Sequence, residues 1–330
     1  MVDIYDTATG TWITRSTDKL SQARYELAGA GAGGEVFFGG GFLGYSNPAG
    51  YYSNVVDIYD TATHAWRPPA ALSQARQALA ATAACGHVFF AGGSPNNNVA
   101  SDVVDIFDAA TLTRTTISLS QARWNLAAVS AGDLVFFAGG HYYAGGRVCV
   151  SDVVDIYDTK QGKWVTNELT DKLSQARGSL SAAAAGDLVL FGGGDIPGVG
   201  YSDVVDIYDT KQRAWVTKPT DKLSQARTIL SAAAAGSQVL FAGGGDSAVP
   251  VYSNVVDIYD TQTGNWSTAS LSQARYELAA AGWGDQAFFA GGWGYSGYSD
   301  VVDIYTIPEP ATLALLALGG LGLFARRKRP

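Results

Sequence analysis

The chain has 330 residues, a formal net charge of −8, 47% hydrophobic residues and 16% charged residues. This composition is typical of a β-rich globular protein and excludes a chain that is disordered over most of its length. Residues 306–330 contain four cations and one carboxylate, which leaves a net charge of −11 on the rest; because an acidic body repels nucleic acid at long range, we expect no nucleic-acid partner.

A unit of 46 to 54 residues repeats along the chain. Its first marker is Val-Asp-Ile-Tyr or a near copy. Its second is Leu-Ser-Gln-Ala-Arg, which occurs six times, and its third is an apolar run that ends in a glycine pair, as in 135–140. A period of this length indicates a repeat architecture. The aspartates of the first marker are Asp3, Asp57, Asp105, Asp155, Asp206, Asp257 and Asp303.

Each unit predicts four short strands, named A to D in chain order. Strand A follows the arginine and is rich in small residues, as in 180–185. Such a run has helical propensity, but the Gly-Asp turn and the apolar run directly after it favour a strand. Strand B is the apolar run, strand C is the Val-Asp-Ile-Tyr segment, and strand D contains a tryptophan in most units. The Asp-Thr-x-x-Gly sequence between C and D is typical of a tight turn.

The order of arginine, glycine pair, Tyr-Asp and tryptophan resembles that of kelch repeats from residue 2 to residue 305. The resemblance implies an all-β fold, a six-bladed kelch-type β-propeller with one four-stranded blade per repeat, in one domain over residues 1–305. There are seven C strands but six each of A, B and D, so residues 1–13, with Trp12 in strand D, are expected to close the ring. A seven-bladed parent is the alternative. The repeats lie near 14–68, 69–116, 117–166, 167–217, 218–267 and 268–305.

The chain ends in a distinct segment, residues 306–330. Pro308-Glu309-Pro310 precedes the uncharged run 311–325, which predicts a short hydrophobic helix of about 22 Å, less than the roughly 30 Å of a bilayer core. This order of motif, apolar run and basic cluster resembles the PEP-CTERM sorting tail of exported bacterial proteins. The basic cluster is Arg326, Arg327, Lys328 and Arg329.

The PEP-CTERM resemblance implies recognition by an exosortase-type processing enzyme and a transient membrane anchor at the C-terminus. It also implies display at the bacterial cell surface or in the extracellular matrix. A buried C-terminal helix is the alternative, which four consecutive cations disfavour. Residues 1–5 already belong to a predicted strand, without the basic and apolar regions of an export signal. We therefore expect the natural reading frame to begin further upstream.

The B–C and D–A connections share one face of the predicted blades, and the B–C connections differ between units in length and content. Variable loops on a rigid scaffold are common places for binding. These loops combine aromatic residues with Asn and Asp, which suits sugar rings or peptide segments; the alternative is that the rings cover the blade ends. The candidate ligand-binding residues are Tyr45, Tyr52, Tyr143, Tyr201, Tyr252, Trp293 and Tyr298.

Six arginines open strand A on the same face, around the predicted channel mouth. Guanidinium groups in this arrangement can hold a carboxylate or sulfate bidentately. The kelch resemblance also implies that arginines at this position contact acidic ligands in some members. The alternative is a structural contact of each arginine with backbone carbonyls or a neighbouring aspartate. These candidate ligand-binding arginines are Arg24, Arg76, Arg123, Arg177, Arg227 and Arg275.

Catalytic chemistry is sparse in the sequence. The three histidines fall in three different units without metal-ligand spacing, so we expect no metal, no cofactor and no enzymatic activity. Some kelch-type propellers resemble copper radical oxidases, which need a cysteine-linked tyrosine and two histidines; only His141, Tyr142, Tyr143 and Cys149 lie in suitable loops, and one histidine is too few. Asp195 and Asp246 are a possible carboxylate pair for glycoside hydrolysis, with turn capping as the alternative.

The sequence therefore predicts an exported binding or structural protein. It would engage extracellular polysaccharide or a surface protein through the face of the B–C and D–A connections. An exported carbohydrate-active enzyme or an oxidase on the same scaffold is the alternative.

Overall fold

The computed structural model describes residues 2–46, 51–96, 99–166, 171–246 and 251–307. Within these ranges all regular secondary structure is β, in antiparallel sheets. No described segment forms a helix with the length and apolar character needed to cross a bilayer. The hydrophobic helix predicted at 311–325 lies outside the described residues.

An N-terminal hairpin and two blades come first along the chain. The hairpin pairs β1 (Tyr5–Asp6) with β2 (Thr11–Trp12). The first blade contains β3 (Ala28–Ala32), β4 (Glu35–Gly39), β5 (Val55–Asp60), β6 (Ala65–Trp66) and β7 (Ala70–Ala71). The second blade contains β8 (Ala80–Ala84), β9 (His87–Ala91), β10 (Val103–Asp108) and β11 (Arg114–Ser118).

The third to fifth blades have four strands each and carry a two-stranded hairpin between strands B and C. The third runs β12 (Ala127–Ala131), β13 (Leu134–Ala138), hairpin β14 (His141–Ala144) and β15 (Arg147–Val150), β16 (Val154–Asp158) and β17 (Lys163–Trp164). The fourth runs β18 (Ser181–Ala185), β19 (Leu188–Gly192), hairpin β20 (Asp195–Ile196) and β21 (Gly200–Tyr201), β22 (Val205–Asp209) and β23 (Ala214–Trp215). The fifth runs β24 (Ser231–Ala235), β25 (Gln238–Ala242), hairpin β26 (Gly245–Asp246) and β27 (Val251–Tyr252), β28 (Val255–Asp260) and β29 (Asn265–Ser270).

The sixth blade differs from the others because its main sheet has three strands. That sheet has the order β31, β32, β35, and a second small sheet joins β30, β33 and β34. The strands are β30 (Arg275–Tyr276), β31 (Ala279–Trp283), β32 (Gln286–Ala290), β33 (Trp293–Gly294), β34 (Gly297–Tyr298) and β35 (Val302–Thr306).

Strand A is the innermost strand of each blade. The A strands of successive blades pack side by side from β3 through β8, β12, β18 and β24 to β31. Most of their residues are Ala, Gly or Ser, which allow this close approach around the axis. The alanine-rich runs form strands despite their helical propensity because each pairs along its length with an apolar strand B, as Ser181–Ala185 pairs with Leu188–Gly192.

The hydrophobic core lies between blades, with one cluster at each of the five interfaces between successive blades. The third residue of strand B faces the next blade, as Phe136 does toward Tyr208, with ring centroids 5.2 Å apart. The fourth residue faces the preceding blade, as Phe241 does toward Gly192. Both faces of strand B are therefore buried, which explains its unbroken apolar sequence.

The N-terminal hairpin does not complete the sixth blade, in contrast to the expectation from the sequence. β1 and β2 form a sheet of their own, and neither pairs with β35. Tyr5 contacts Phe288 on β32 with ring centroids 5.5 Å apart, as Tyr208 of the fourth blade contacts Phe136 of the third. β2, the strand of Trp12, pairs with β1 as a strand D pairs with its strand C. The hairpin therefore lies beyond the sixth blade, in the place that strands C and D of a seventh blade would take.

Candidate binding face

The B–C and D–A connections lie together on one face of the arc of blades, which we call the loop face. Here the residue after each strand-A arginine is bridged to a residue that follows the glycine pair in the same blade. In blade order, these pairs are Tyr25 with Phe42, Gln77 with Ser94, Trp124 with His141, Gly178 with Asp195, Thr228 with Gly245 and Tyr276 with Trp293.

A series of backbone hydrogen bonds links these bridges around the channel mouth. The second residue after each arginine has a φ between 49° and 55°, and from the second blade onward it donates its N–H to the carbonyl of its counterpart in the preceding blade. Asn125, for example, donates to Ala78 at 2.9 Å. The series begins at Glu26 and ends at Glu277, so the same two positions of every repeat line the mouth.

The glycine pair is required by the next blade. Gly139 has a φ of 63°, and a Cβ there would lie 2.6 Å from the carbonyl oxygen of Arg177 in the fourth blade. The N–H of Gly140 donates to the same carbonyl at 3.0 Å. Strand B must therefore end in residues without side chains where the arginine segment of the next blade crosses it.

The six strand-A arginines are buried beneath the loop face. Each pairs with the strand-C aspartate of its own blade, and their side chains are at most 2% exposed. Arg123 pairs with Asp155 and donates to the carbonyls of Gly139 and Val153 at 2.9 and 2.7 Å. The same carboxylate accepts the Ser120 N–H at 3.2 Å. The ion pairs are Arg24–Asp57, Arg76–Asp105, Arg123–Asp155, Arg177–Asp206, Arg227–Asp257 and Arg275–Asp303.

This burial bears on the two roles considered for the arginines. Burial lowers the pKa of Arg123, the negative charge of Asp155 opposes that shift, and the guanidinium remains protonated. None of the six guanidinium groups is open to a ligand from solution. The geometry therefore favours the structural alternative, and contact with an acidic ligand stays a prediction.

An aromatic stack stands on the third blade. Tyr143 of β14 stacks on Trp124 with ring centroids 4.6 Å apart, and Trp124 stacks on His141 at 5.5 Å. His141 is buried, and its Nε2 lies 3.0 Å from Oδ2 of Asp195 in the fourth blade. Burial raises the pKa of Asp195, but the interaction with His141 and the hydrogen bonds from Ser179 and Thr228 together outweigh it, so this pKa lies below its ordinary value. The contact anchors the stack to the neighbouring blade.

A cavity of about 370 Å³ opens beside this stack at the channel mouth. An aromatic wall with a few polar groups is the usual composition of a binding pocket, and this volume lies within the range of small-ligand sites. A larger depression of about 570 Å³ lies on the opposite face, but its lining contains no aromatic ring and is formed mostly by turn residues such as Asp158 and Arg213. Trp124 and Tyr143 form the wall of the smaller cavity, and its polar lining consists of Glu26, Gln77, Ser94 and Asn125.

Glu26 gives the cavity an acidic rim. Water reaches this side chain, but the surrounding protein still removes part of its hydration, which raises its pKa, and the charge of Glu277 raises it further. The pKa of Glu277 is also raised by partial burial. The charge of a carboxylate in the sixth blade thus acts on a carboxylate of the first blade at the channel mouth.

The candidate aromatic residues fall into separate groups. Of the seven, only Tyr143 lines the cavity. Tyr45 and Tyr52 lie edge-to-face against Phe42 of the first blade, at 4.9 and 5.5 Å between ring centroids.

The remaining four belong to the fourth, fifth and sixth blades. Tyr201 ends β21 and pairs with Asp195 in the backbone ladder. Tyr252 stacks on Tyr276 at 5.4 Å. Trp293 contacts Tyr298 at 4.5 Å, edge-to-face. The seven side chains therefore take part in several contacts on the loop face, of which one, the stack of Tyr143 on Trp124, borders the cavity.

Other chemistry on the face is limited. Among the described residues, no three His, Cys, Asp or Glu side chains converge as a metal site requires. Cys85 and Cys149 are free thiols. The register of β14 and β15 sets Tyr142 opposite Cys149, two residues of the oxidase alternative. The side chain of Asp246 lies outside the description, so its pairing with Asp195 stays a prediction.

The sequence motifs did not identify most of the residues that line the cavity. Gln77 and Trp124 directly follow the repeated Leu-Ser-Gln-Ala-Arg, and Glu26 and Asn125 stand one place further. A signal was present: these two positions carry five different residue pairs in the six units, with Tyr-Glu in both the first and the sixth, although the five residues before them are constant. Variation confined to fixed positions of a repeat marks the side chains that the scaffold leaves free for a ligand.

Comparison with known proteins gives two matches. Residues 125–307 match the family model of the KLHDC2/KLHL20/DRC7 Kelch-repeats domain, which covers more than half of the chain. Residues 306–329 match the PEP-CTERM protein-sorting motif. No curated protein matches the chain. Both resemblances expected from the sequence are confirmed, and the sorting motif indicates export to the bacterial cell envelope, with a tail that an exosortase recognises and processes at the membrane.

Proposed function

The chain belongs to the kelch-repeat family, and from this premise we propose that it is a binding protein of the cell envelope that holds extracellular polysaccharide at its channel mouth and has no catalytic activity. The observation that carries the proposal is the stack of Tyr143 on Trp124 beside the cavity. The apolar face of a sugar ring packs well on such an aromatic surface, and the amides of Gln77 and Asn125 can bond its hydroxyl groups.

Charge selects the class of polysaccharide. The body carries a net charge of −11, Glu26 lies at the rim, and the strand-A arginines are buried against aspartates. An acidic glycan would meet repulsion without an exposed cation in the cavity lining to offset it. A neutral polysaccharide is therefore the proposed ligand.

Affinity electrophoresis tests this proposal. Gels that contain a neutral glucan or galactomannan are expected to retard the protein, and gels with alginate are not. Trp124→Ala should weaken retardation about tenfold, because it removes the stacking surface. Trp283→Ala is the matched control, since this tryptophan is exposed at the end of β31, away from the loop face.

Three results separate the alternatives. Wild-type retardation by a Trp124→Ala variant that melts normally would refute the cavity as the site. Retardation by alginate alone would support the role of the strand-A arginines as contacts of an acidic ligand. Retention by an envelope protein, with no effect of any polysaccharide, would favour a protein partner.

A carbohydrate-active enzyme is the second candidate, because His141 and Asp195 form an acid–base pair on the loop face. Their side chains lie 3.0 Å apart, and the buried Nδ1 of His141 has no hydrogen-bond partner among the described residues. A hydrolase would release reducing ends from a bound polysaccharide, and His141→Gln would abolish that release. We expect retention without release.

A further inference from the structure

Among the described aromatic contacts, near-parallel stacking occurs at two places, and both lie on the loop face. One is the stack of Tyr143 and Trp124 beside the cavity. The other joins Tyr252 of β27 to Tyr276 of β30, with ring centroids 5.4 Å apart and an angle of 7° between the ring planes. A further ring, Tyr295, lies edge-to-face against Tyr252 at 4.6 Å. The fifth and sixth blades thus carry a group of three rings, which we call the second stack.

The two stacks are built on the same position of the repeat. Trp124 directly follows Arg123, and Tyr276 directly follows Arg275. Each of these rings stacks with a tyrosine of a hairpin that connects strands B and C. Of the other four units, only the first has an aromatic residue at this position, Tyr25, and its ring makes an edge-to-face contact. The second stack therefore repeats the arrangement at the cavity in another part of the loop face.

The backbone around the second stack also repeats the backbone around the cavity. The N–H of Glu277 donates to the Ile229 carbonyl at 3.3 Å, and the N–H of Ile229 donates to the Ser179 carbonyl at 3.2 Å. These two bonds join the sixth blade to the fifth and the fifth to the fourth. The corresponding residues of the first three blades, in the same order, are Asn125, Ala78 and Glu26. The fourth to sixth blades thus present the same frame as the first three.

Water reaches the rings of the second stack. Tyr276 and Tyr252 are half-buried, and Tyr295 is 70% exposed. The tyrosines that pack between blades differ, since Tyr208 and Tyr259 are at most 5% exposed. A group of exposed rings on a soluble protein is typical of an interaction site. The second stack is therefore accessible to a ligand and is not part of the core.

The charge beside the second stack is negative, as at the cavity. Glu277 directly follows Tyr276 and is exposed. Partial burial raises the pKa of Tyr276, and the charge of Glu277 raises it further, so the phenol stays protonated at neutral pH and can donate a hydrogen bond. Flat rings with a hydroxyl donor and a carboxylate acceptor suit the apolar face and the hydroxyl groups of a neutral sugar. An acidic glycan would meet repulsion from the carboxylate.

We propose that the second stack is a second saccharide site, and that the protein therefore cross-links neutral polysaccharide chains. The inference rests on the proposed function for the class of its ligand. The two sites lie three blades apart on one scaffold, so a polysaccharide chain held at the cavity leaves the second stack to another chain. A protein with two such sites joins the chains that it binds.

Calorimetric titration of the full chain with mannohexaose and with cellohexaose counts the sites. We expect the wild type to bind two molecules of one of these neutral oligosaccharides per chain. Tyr276→Ala should remove one site, Trp124→Ala should remove the other, and the double replacement should leave none. Tyr276→Trp should keep both sites, because it preserves a stacking surface. Tyr25→Ala is the matched control, since it removes a ring at the same repeat position outside both stacks.

A second variant keeps the test valid if Tyr276→Ala folds poorly. Tyr295 is the most exposed ring of the second stack, so its replacement should not change the melting temperature. Tyr295→Ala should weaken the same site about tenfold, because it removes part of the aromatic surface.

Cross-linking has a separate readout in the viscosity of a galactomannan solution. The wild type should raise this viscosity, because each protein joins two chains. Tyr276→Ala and Trp124→Ala each retain one site and should leave the viscosity close to that of the solution without protein. Tyr25→Ala should behave like the wild type.

Failure of the inference and failure of the proposed function give different results. A wild type with a single site that Trp124→Ala removes would overturn the inference and leave the cavity as the binding site. A single site that Tyr276→Ala removes would refute the cavity, and the cross-linking role with it. A Tyr276→Ala protein that melts like the wild type and keeps two sites would also overturn the inference, as would the absence of any binding.

Discussion

Replacement of Arg123 by alanine is the sharpest test of the arginine–aspartate pairs. In the folded protein this guanidinium joins three segments of the third blade, because it pairs with Asp155 on β16 and bonds the carbonyls of Gly139 and Val153. We expect Arg123→Ala to fold but to unfold at a clearly lower temperature than the wild type, and we expect this difference in the absence of any ligand.

The magnitude follows from what remains after the replacement. Asp155 is 2% exposed and loses its cation, and two carbonyls lose their donor beneath the loop face. Removal of one partner of a buried ion pair costs about 3–5 kcal/mol, a large part of the roughly 5–15 kcal/mol that holds a typical domain folded. At about 2 °C for each kcal/mol, the melting temperature should fall by about 6–10 °C.

Thermal unfolding followed by circular dichroism measures this shift. Arg213→Ala is the matched control, since its side chain is 55% exposed and lies 3.4 Å from Asp158; an exposed pair contributes about 0–1 kcal/mol. The double replacement Arg123→Met with Asp155→Leu should recover part of the loss, because no buried charge is left unpaired. An Arg123→Ala protein that melts within about 1 °C of the wild type would refute the reasoning.

Three further predictions concern the channel mouth, the glycine pair and the tail. The pKa of Glu26 is raised, so the folded state binds more protons than the unfolded state, and stability falls as pH rises through that pKa. Glu26→Gln should therefore have the melting temperature of the wild type at a pH below the ordinary carboxyl range, and a higher melting temperature than the wild type at neutral pH. An equal difference in melting temperature at all pH values would contradict this. Gly139→Ala should cost about 2–4 kcal/mol by denaturant unfolding, because its Cβ meets a backbone oxygen at 2.6 Å, whereas Gly132→Ala, with nothing within 4 Å, should cost about 1 kcal/mol for its positive φ alone. A periplasmic reporter that ends in residues 307–330 should be held at the membrane and processed in cells with an exosortase, and recovery of the intact tail in the cytosolic fraction would contradict it.

The sequence was sufficient to predict the blades, because each strand carries a sequence marker that fits only one position within a blade. The glycine pair indicated a close backbone approach, and Gly139 faces the carbonyl of Arg177 at the next blade. The constant arginine and aspartate of each unit were compatible with two roles, since spacing alone does not tell whether a guanidinium points into a blade or into the channel. That choice depends on strand register, which sets Asp155 beside strand B and within reach of Arg123.

The site and the closure were harder to predict, for different physical reasons. The cavity combines Gln77 of the second blade with Trp124 and Asn125 of the third. Their proximity depends on the series of backbone hydrogen bonds at the channel mouth, and no sequence motif indicates those bonds. Closure depends on which strand C a strand D selects. The strand of Trp12 had two possible partners in the sequence, and β1, only a tight turn away, is the one it pairs with.

The apolar clusters between the blades also shape how the molecule opens. The first and sixth blades each share one of the described clusters, while the blades between them each share two, so the energy that resists separation of a blade is unequal along the chain. Amide hydrogen exchange should therefore form a gradient, slowest in β13 and β19 and fastest in β3 and β31 at the ends. Local unfolding is therefore expected to begin in the first and sixth blades and to reach the third and fourth blades last.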